Sequence, residues 1–163
     1  MRSPDEKIMS LPQAIAWRES LRKENKKLVV TNGCFDLIHR GHAKYLWDSR
    51  NLGDALLLLM NSDESVRALK GPSRPIVGES DRAYVLASLA SVDAVVAFNA
   101  ERCDAEFLAL RPDIYVKGGD YSIEKINPQE RDALLSAGAD IRFIPFIPGF
   151  STTEILEKIT KCK

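Results

Sequence analysis

Six consecutive apolar residues, Ala55-Leu56-Leu57-Leu58-Leu59-Met60, limit the fold more than any other stretch of this chain. The run is far shorter than the roughly 18–20 residues that cross a bilayer. It lacks the polar alternation of a strand with one wet face, so it reads as a strand covered on both sides. Such strands belong to parallel sheets flanked by helices. Leu28–Thr31, Ala94–Phe98, Asp113–Val116 and Ile141–Phe146 also read as strands, the last limited in its pairing by Pro145. Helices are expected between them at His42–Asn51, Glu64–Leu69, Asp81–Ala90 and Asp104–Leu110, and from Pro128 to a stop at Gly138.

Two further helices frame the series. Ser10 and Pro12 open an amphipathic helix carrying Leu11, Ile15 and Leu21, and Ser151-Thr152-Thr153-Glu154 has the capping-box pattern ahead of Ile155, Leu156 and Ile159. The alternation predicts a single doubly wound, Rossmann-like α/β domain over residues 1–163. About five parallel strands would carry helices on both faces, with residues 1–27 as an N-terminal extension bearing the amphipathic helix. Lys70–Ser80, with Gly71, Pro72, Pro75 and Gly78, is a long loop, and long loops in compact domains are often functional.

Charge and cysteine usage narrow the function classes. Lys+Arg and Asp+Glu both number 23, and no long basic block is present, which argues against a nucleic-acid or membrane partner. Cys34, Cys103 and Cys162 are far apart, so neither a disulfide scaffold nor a cysteine zinc site is expected. Met1–Lys7 lacks the apolar core of a signal peptide, and a reducing cytoplasm is the expected location.

Chemistry concentrates where the first strand meets its helix. Val29–His42 runs from apolar strand through a turn to His39-Arg40-Gly41-His42, setting two imidazoles and free backbone N–H groups at one helix N-terminus. Such an end carries roughly +0.5 of a charge and suits an anion. Two histidines flanking a turn can equally be one cap and one packing residue. A metal site lacks the carboxylate or cysteine cluster that would complete it. Ser151, Thr152 and Thr153 read first as an N-cap, yet hydroxyls and N–H groups at a helix start also hold phosphate. Lys70, Arg74 and Arg82 are loop cations or a solvated basic surface, and Lys44 is phosphate-facing or simply exposed. Lys117-Gly118-Gly119-Asp120 is an ordinary turn or a close backbone approach to a ligand, and Asp36 supports a local Asx-turn or a ligand contact. Neither a GxxxxGK[ST] loop nor a GxGxxG after the first strand occurs.

Thr31-Asn32-Gly33-Cys34-Phe35-Asp36-Leu37-Ile38-His39-Arg40-Gly41-His42, together with Gly149-Phe150-Ser151-Thr152-Thr153, resembles the cytidylyltransferase-like nucleotidyltransferase superfamily. Asn61-Ser62-Asp63, Leu69-Lys70-Gly71-Pro72-Ser73-Arg74-Pro75, Asp81-Arg82, Ser91-Val92-Asp93, Arg111-Pro112-Asp113 and Val116–Tyr121 extend it. With them the chain is similar to heptose 1-phosphate adenylyltransferases, including that half of the bifunctional heptose kinase/adenylyltransferase. The similarity runs from about Leu11 to Ile159 without a kinase half, and Ile123–Asp132 departs from the commoner family sequence.

The resemblance implies transfer of AMP from ATP to heptose 1-phosphate, giving ADP-heptose, a precursor of lipopolysaccharide core, and pyrophosphate. It assigns phosphate-handling catalytic roles to His39, His42, Lys70 and Arg82. It assigns nucleotide or phosphate binding to Asn32, Gly33, Phe35, Gly41, Lys117, Gly118, Asp120, Ser151, Thr152 and Thr153, and substrate binding to Asp36 and Arg74. Mg²⁺ would accompany ATP without a named protein ligand, and Cys34 receives no reaction. Relatives suggest a homodimer, for which Phe143–Phe150 could supply contact surface or could equally be core. Two alternatives keep the fold: a cytidylyltransferase using CTP with glycerol 3-phosphate or another alcohol phosphate, and a nucleotide-binding protein without turnover.

Overall fold

The structure, a computed structural model, describes residues 2–119, 122–145, 147 and 149–161. Among them a five-stranded sheet has the order β3-β2-β1-β4-β5. Its strands are β1 (Leu28–Gly33), β2 (Ala55–Asn61), β3 (Ala94–Phe98), β4 (Ile114–Gly118) and β5 (Asp140–Ile144). Every pairing is parallel, with Leu28 opposite Ala55, Leu57 opposite Ala94, Val29 opposite Ile114 and Ile114 opposite Asp140.

Side chains alternate between two cores, as the two-residue period of a strand demands. Leu28, Val30, Leu57, Leu59, Val96 and Tyr115 face one; Val29, Leu56, Leu58, Met60, Val95 and Val116 face the other. The whole of β2 is buried, as its apolar run requires. Helices α2 (Leu11–Lys23), α6 (Asp104–Leu110) and α7 (Pro128–Ser136) cover the first face through Ala14, Leu21, Phe107, Leu110, Ala133 and Leu134. Helices α3 (Arg40–Arg50) and α5 (Glu79–Ser88) cover the second through Tyr45, Leu46, Ala83, Leu86 and Ala87. α4 (Asp63–Lys70) follows β2 directly, and α8 (Thr152–Lys161) ends the series.

Several boundaries differ from the sequence reading for local reasons. α3 begins at Arg40 rather than His42, because the His39 carbonyl already accepts from Ala43 N at 3.1 Å, making His39 the N-cap. α4 continues through Lys70 and stops at Gly71, whose φ of 98° breaks the helix. α5 starts at Glu79, shortening the preceding loop to residues 71–78. β5 ends at Ile144, before Pro145, which has no N–H to give a ladder. Phe146 and Cys162 lie outside the described residues.

The N-terminal region is built into the fold. A short helix, α1 (Pro4–Lys7), was not legible in the polar start, and it carries a reciprocal Ser3–Glu6 capping box. Ile8 then bridges Val95 in parallel and Met9 N donates to Val95 O at 2.9 Å, covering the β3 edge. Ser10 and Gln13 form a second reciprocal cap on α2. The buried Arg18 of α2 pairs with Asp113 at 2.9 Å. Among the described residues no helix is long and apolar enough to cross a membrane.

The strand order reverses between β1 and β4. In open α/β sheets ligands bind beyond the carboxyl ends at such a switch point. The functional side chains gather there.

Candidate active site

β1 ends at Asn32-Gly33, and the chain then turns sharply at Phe35, whose φ is 47°. A non-glycine residue in that region is uncommon and marks a constrained turn. The Phe35 ring sits 3.2 Å from where a Cβ on Gly33 would lie, so Gly33 leaves it room. The same ring meets His42 edge-on, centroids 5.4 Å apart.

His39 and His42 stack with centroids 3.9 Å apart and an interplanar angle of 22°. Gly41 makes this stacking feasible: a Cβ there would fall 2.9 Å from His39 Cε1 and Nδ1 and 3.2 Å from Phe150 Cβ. Burial first, then the neighbouring His39, lowers the His42 pKa from its ordinary 6.5 to about 4, against a smaller opposing contribution from the Leu37 backbone. His39 is lowered too, by burial, with Glu154 opposing. Both Nδ1 atoms are buried without a hydrogen-bond partner. Orphaned buried polar atoms are rare, and an unpaired imidazole nitrogen in a cleft is ready for a ligand.

The other end of the chain meets this turn. Ser151 Oγ accepts from Glu154 N at 3.1 Å, capping α8 as the sequence implies. Phe150 packs beside Gly41, and the Arg40 guanidinium lies 5.6 Å above its ring. Ser151, Thr152 and Thr153 line the same cavity as the imidazoles, a cleft of about 640 Å³. Two helix N-termini, α3 and α8, therefore open onto one space.

The strand ends complete its floor. Asn32 Oδ1 accepts from Tyr115 OH at 2.7 Å and from Lys117 Nζ at 3.2 Å, which turns the Asn32 amide nitrogen the other way. Lys117 and Gly118 line the cleft; Asp120 lies outside the described residues. Lys70 and Arg74 reach the cleft from the loop side. Lys70 is exposed at the end of α4, whereas Arg74 is tied to Asp36 through Nε at 2.6 Å.

Two expectations change. Asp36, assigned to substrate by the resemblance, is engaged within the protein. Its carboxylate accepts from Arg74 Nε and from the backbone N–H groups of Ile76 at 2.9 Å and Val77 at 3.0 Å, clasping the 71–78 loop. Burial raises its pKa, but these bonds outweigh burial and leave it below the ordinary value. Arg82, expected to hold a phosphate, is 1% exposed and does not line the cleft. Its guanidinium donates to Cys34 O at 2.6 Å, Asn61 O at 2.9 Å, Val77 O at 3.0 Å and Asp63 Oδ1 at 2.7 Å. Arg82 thus pins the ends of β1 and β2 to the loop, with four of its five N–H groups already engaged. Lys44 pairs with Asp48 on the α3 surface and stays outside the main cleft.

Residues 30–158 match the cytidylyltransferase-like family. The chain belongs to that family. It is 51% identical over 138 residues to the bifunctional protein HldE of Koribacter versatilis, a match covering 84% of this chain and 28% of that protein. It is 47% identical over 152 residues to HldE of Syntrophotalea carbinolica, covering 89% and 31%. The chain therefore spans less than a third of these relatives. Among solved structures, the lipopolysaccharide core biosynthesis protein of Thermoplasma volcanium aligns with a TM-score of 0.61 at 25% identity, covering 75% of this chain and 97% of that one. Pantothenate synthetase of Thermus thermophilus shares the fold alone, with a TM-score of 0.59 at 15% identity, covering 86% and 62%.

The cytidylyltransferase-like cleft also contains residues that the sequence reading passed over. Tyr45 OH donates to Val116 O at 3.0 Å and, having one hydrogen, accepts from Thr31 Oγ1 at 2.6 Å, tying α3 to β1 and β4. Burial pushes this phenol up to about 12. Glu130 also lines the cleft, as does Asn61 of Asn61-Ser62-Asp63, a motif with no role assigned from the sequence. A tyrosine at a helical spacing from an apolar neighbour, or a glutamate in a helix's first turn, carries no sequence signal of its own.

Proposed function

We propose that this chain is a nucleotidyltransferase that moves AMP from ATP to heptose 1-phosphate, releasing pyrophosphate. The convergence of His39, His42 and the N-termini of α3 and α8 on one cleft carries the reading. A triphosphate needs donors on several sides, and two helix starts beside imidazoles whose Nδ1 atoms lack partners supply them.

A phosphate oxygen of the sugar phosphate would attack the α-phosphorus of ATP. The bond to the bridging oxygen would break, and pyrophosphate would leave with that electron pair. The attacking group is already anionic, so positioning and charge stabilisation suffice. With its pKa near 4, His42 is neutral at pH 7 and offers one N–H to the α-phosphate. His39, Lys70 and the Ser151–Thr153 helix start would hold the remaining oxygens. Asn32, Gly33, Phe35, Gly41, Lys117, Gly118 and Asp120 would border the nucleotide.

Mg²⁺ bound to the triphosphate would neutralise charge, held by phosphate oxygens and water, since the Asp36 oxygens beside the turn are already engaged. Heptose is the sugar that the sequence resemblance implies, and likeness to a lipopolysaccharide core biosynthesis protein supports it. A homodimer is proposed on the same resemblance, and a reducing, cytoplasmic location on the scattered cysteines. The family's cytidylyltransferase-like character favours a second reading, CTP with an alcohol phosphate.

Pyrophosphate release from four nucleoside triphosphates, each crossed with sugar and alcohol phosphates in Mg²⁺, tests both. Release with ATP and heptose 1-phosphate alone is expected. Release confined to CTP would transfer the assignment to the second reading, and nucleotide binding without release would remove turnover altogether.

A further inference from the structure

The cleft has one wall that phosphate chemistry does not explain. Glu130, in the first turn of α7, is 7% exposed yet lines the cleft. Its hydrogen bonds both fall on Oε1, from Cys103 N at 3.3 Å and Cys103 Sγ at 3.4 Å. Burial first, with the neighbouring carboxylate adding, pushes the Cys103 thiol well above its ordinary range, so it stays a protonated donor. Among the described residues Oε2 has no partner and no cation pairs with the carboxylate; Arg102 at the rim is exposed and does not reach it. Oε2 is not among the buried atoms left without a partner, so it opens onto the cleft and is free to accept from a ligand.

The position matters as much as the open oxygen. α6 and α7 pack on the Tyr115 face of the sheet, whereas α3 and its imidazoles belong to the Val116 face. Glu130 therefore faces the cleft from across the carboxyl edge of the sheet. A carboxylate accepts and does not donate, and it repels phosphate, so its wall suits an uncharged part of a ligand rich in O–H groups.

We infer that Glu130 is a specificity residue whose free Oε2 accepts from ligand hydroxyls, a diol of either the sugar or the nucleotide's ribose. This rests on the proposed nucleotidyltransferase reading and deepens it. Losing a hydrogen bond to a charged group weakens binding by about tenfold to a hundredfold.

The test is calorimetric titration of ATP, 2′-deoxy-ATP, heptose 1-phosphate and inorganic phosphate into the wild type and Glu130→Gln, with thermal melts of both. Weaker binding of heptose 1-phosphate by Glu130→Gln, with ATP and inorganic phosphate unchanged, supports the sugar as the hydroxyl source. Weaker binding of ATP, with 2′-deoxy-ATP equally weak for both proteins, supports the ribose. Unchanged affinities for all four with a lowered melting temperature would make Glu130 a structural cap on Cys103 and overturn the inference. Should Glu130→Gln fail to fold, Glu130→Asp, which keeps the charge but withdraws it by one methylene, must show the same selective loss. A wild type that binds neither nucleotide nor sugar phosphate would remove the nucleotidyltransferase reading, and this inference with it.

Discussion

His39 and His42 lie face to face, with ring centroids 3.9 Å apart, and burial first, with this close pairing second, sets how His42 responds to pH. The pair cannot cheaply carry two charges, and burial already disfavours one. Below the ordinary pKa of 6.5 the unfolded chain takes up a proton at His42 that the folded chain refuses until about pH 4. Stability is therefore complete above pH 6.5 and declines as pH falls toward 4, by up to about 3 kcal/mol from this residue. Urea melts at pH 7 and pH 4.5 should show a larger loss for the wild type than for His42→Gln. Equal losses would contradict the buried, neutral imidazole.

Gly41→Ala should damage the site more than the fold. Its Cβ would sit 2.9 Å from the His39 ring and 3.2 Å from Phe150 Cβ, forcing the imidazole or the α8 entry to move. Such crowding costs about 1–3 kcal/mol of stability. Turnover is expected to fall by about a hundredfold or more, because displacement of about 1 Å at a reacting centre has that effect. A melt and a pyrophosphate-release assay on the same preparation separate the two.

Arg82 and Lys70 should behave oppositely. Arg82→Ala would leave Asp63 and three carbonyls without their buried donor, and about 3–5 kcal/mol of destabilisation is expected. Lys70→Ala removes an exposed side chain with no ion-pair partner among the described residues, so stability should change by less than about 0.5 kcal/mol. Its effect should appear in substrate KM or turnover instead. Thermal melts paired with kinetics on both variants check the contrast.

Asp36→Asn tests the clasp. The variant keeps the shape but loses the charge that accepts from Arg74, Ile76 and Val77, and one of its two oxygens becomes a donor. Destabilisation of about 1–3 kcal/mol is expected, together with faster amide hydrogen exchange at Ile76 and Val77. Unchanged exchange there would mean that the loop is held by something else.

Much of this architecture is legible in the amino-acid sequence. The apolar Ala55–Met60 run demanded a strand buried on both faces, and the Ser10 and Ser151 caps followed from local hydrogen-bonding chemistry alone. His39 and His42 could be placed at a helix start because an apolar strand and a turn lead into them. The roles of Asp36 and Arg82 were not legible, since a buried and a solvated charge look alike in sequence, and only tertiary packing tells which donors surround them. Glu130 was invisible for a related reason: its neighbour Cys103 is 27 residues away and is brought beside it by the packing of α6 on α7. α1 and the Ile8–Val95 bridge escaped notice because the edge they cover belongs to a strand formed much later in the chain.

The most direct measurement follows the imidazole of His42 and the backbone amides of Ser151–Thr153 by NMR while Mg-ATP is added to one sample. Both groups should shift along a single binding curve with one Kd, and the His42 pKa should rise from about 4 as phosphate charge arrives beside it. Movement of only one group, or two curves with separate midpoints, would contradict a triphosphate gripped by both helix starts.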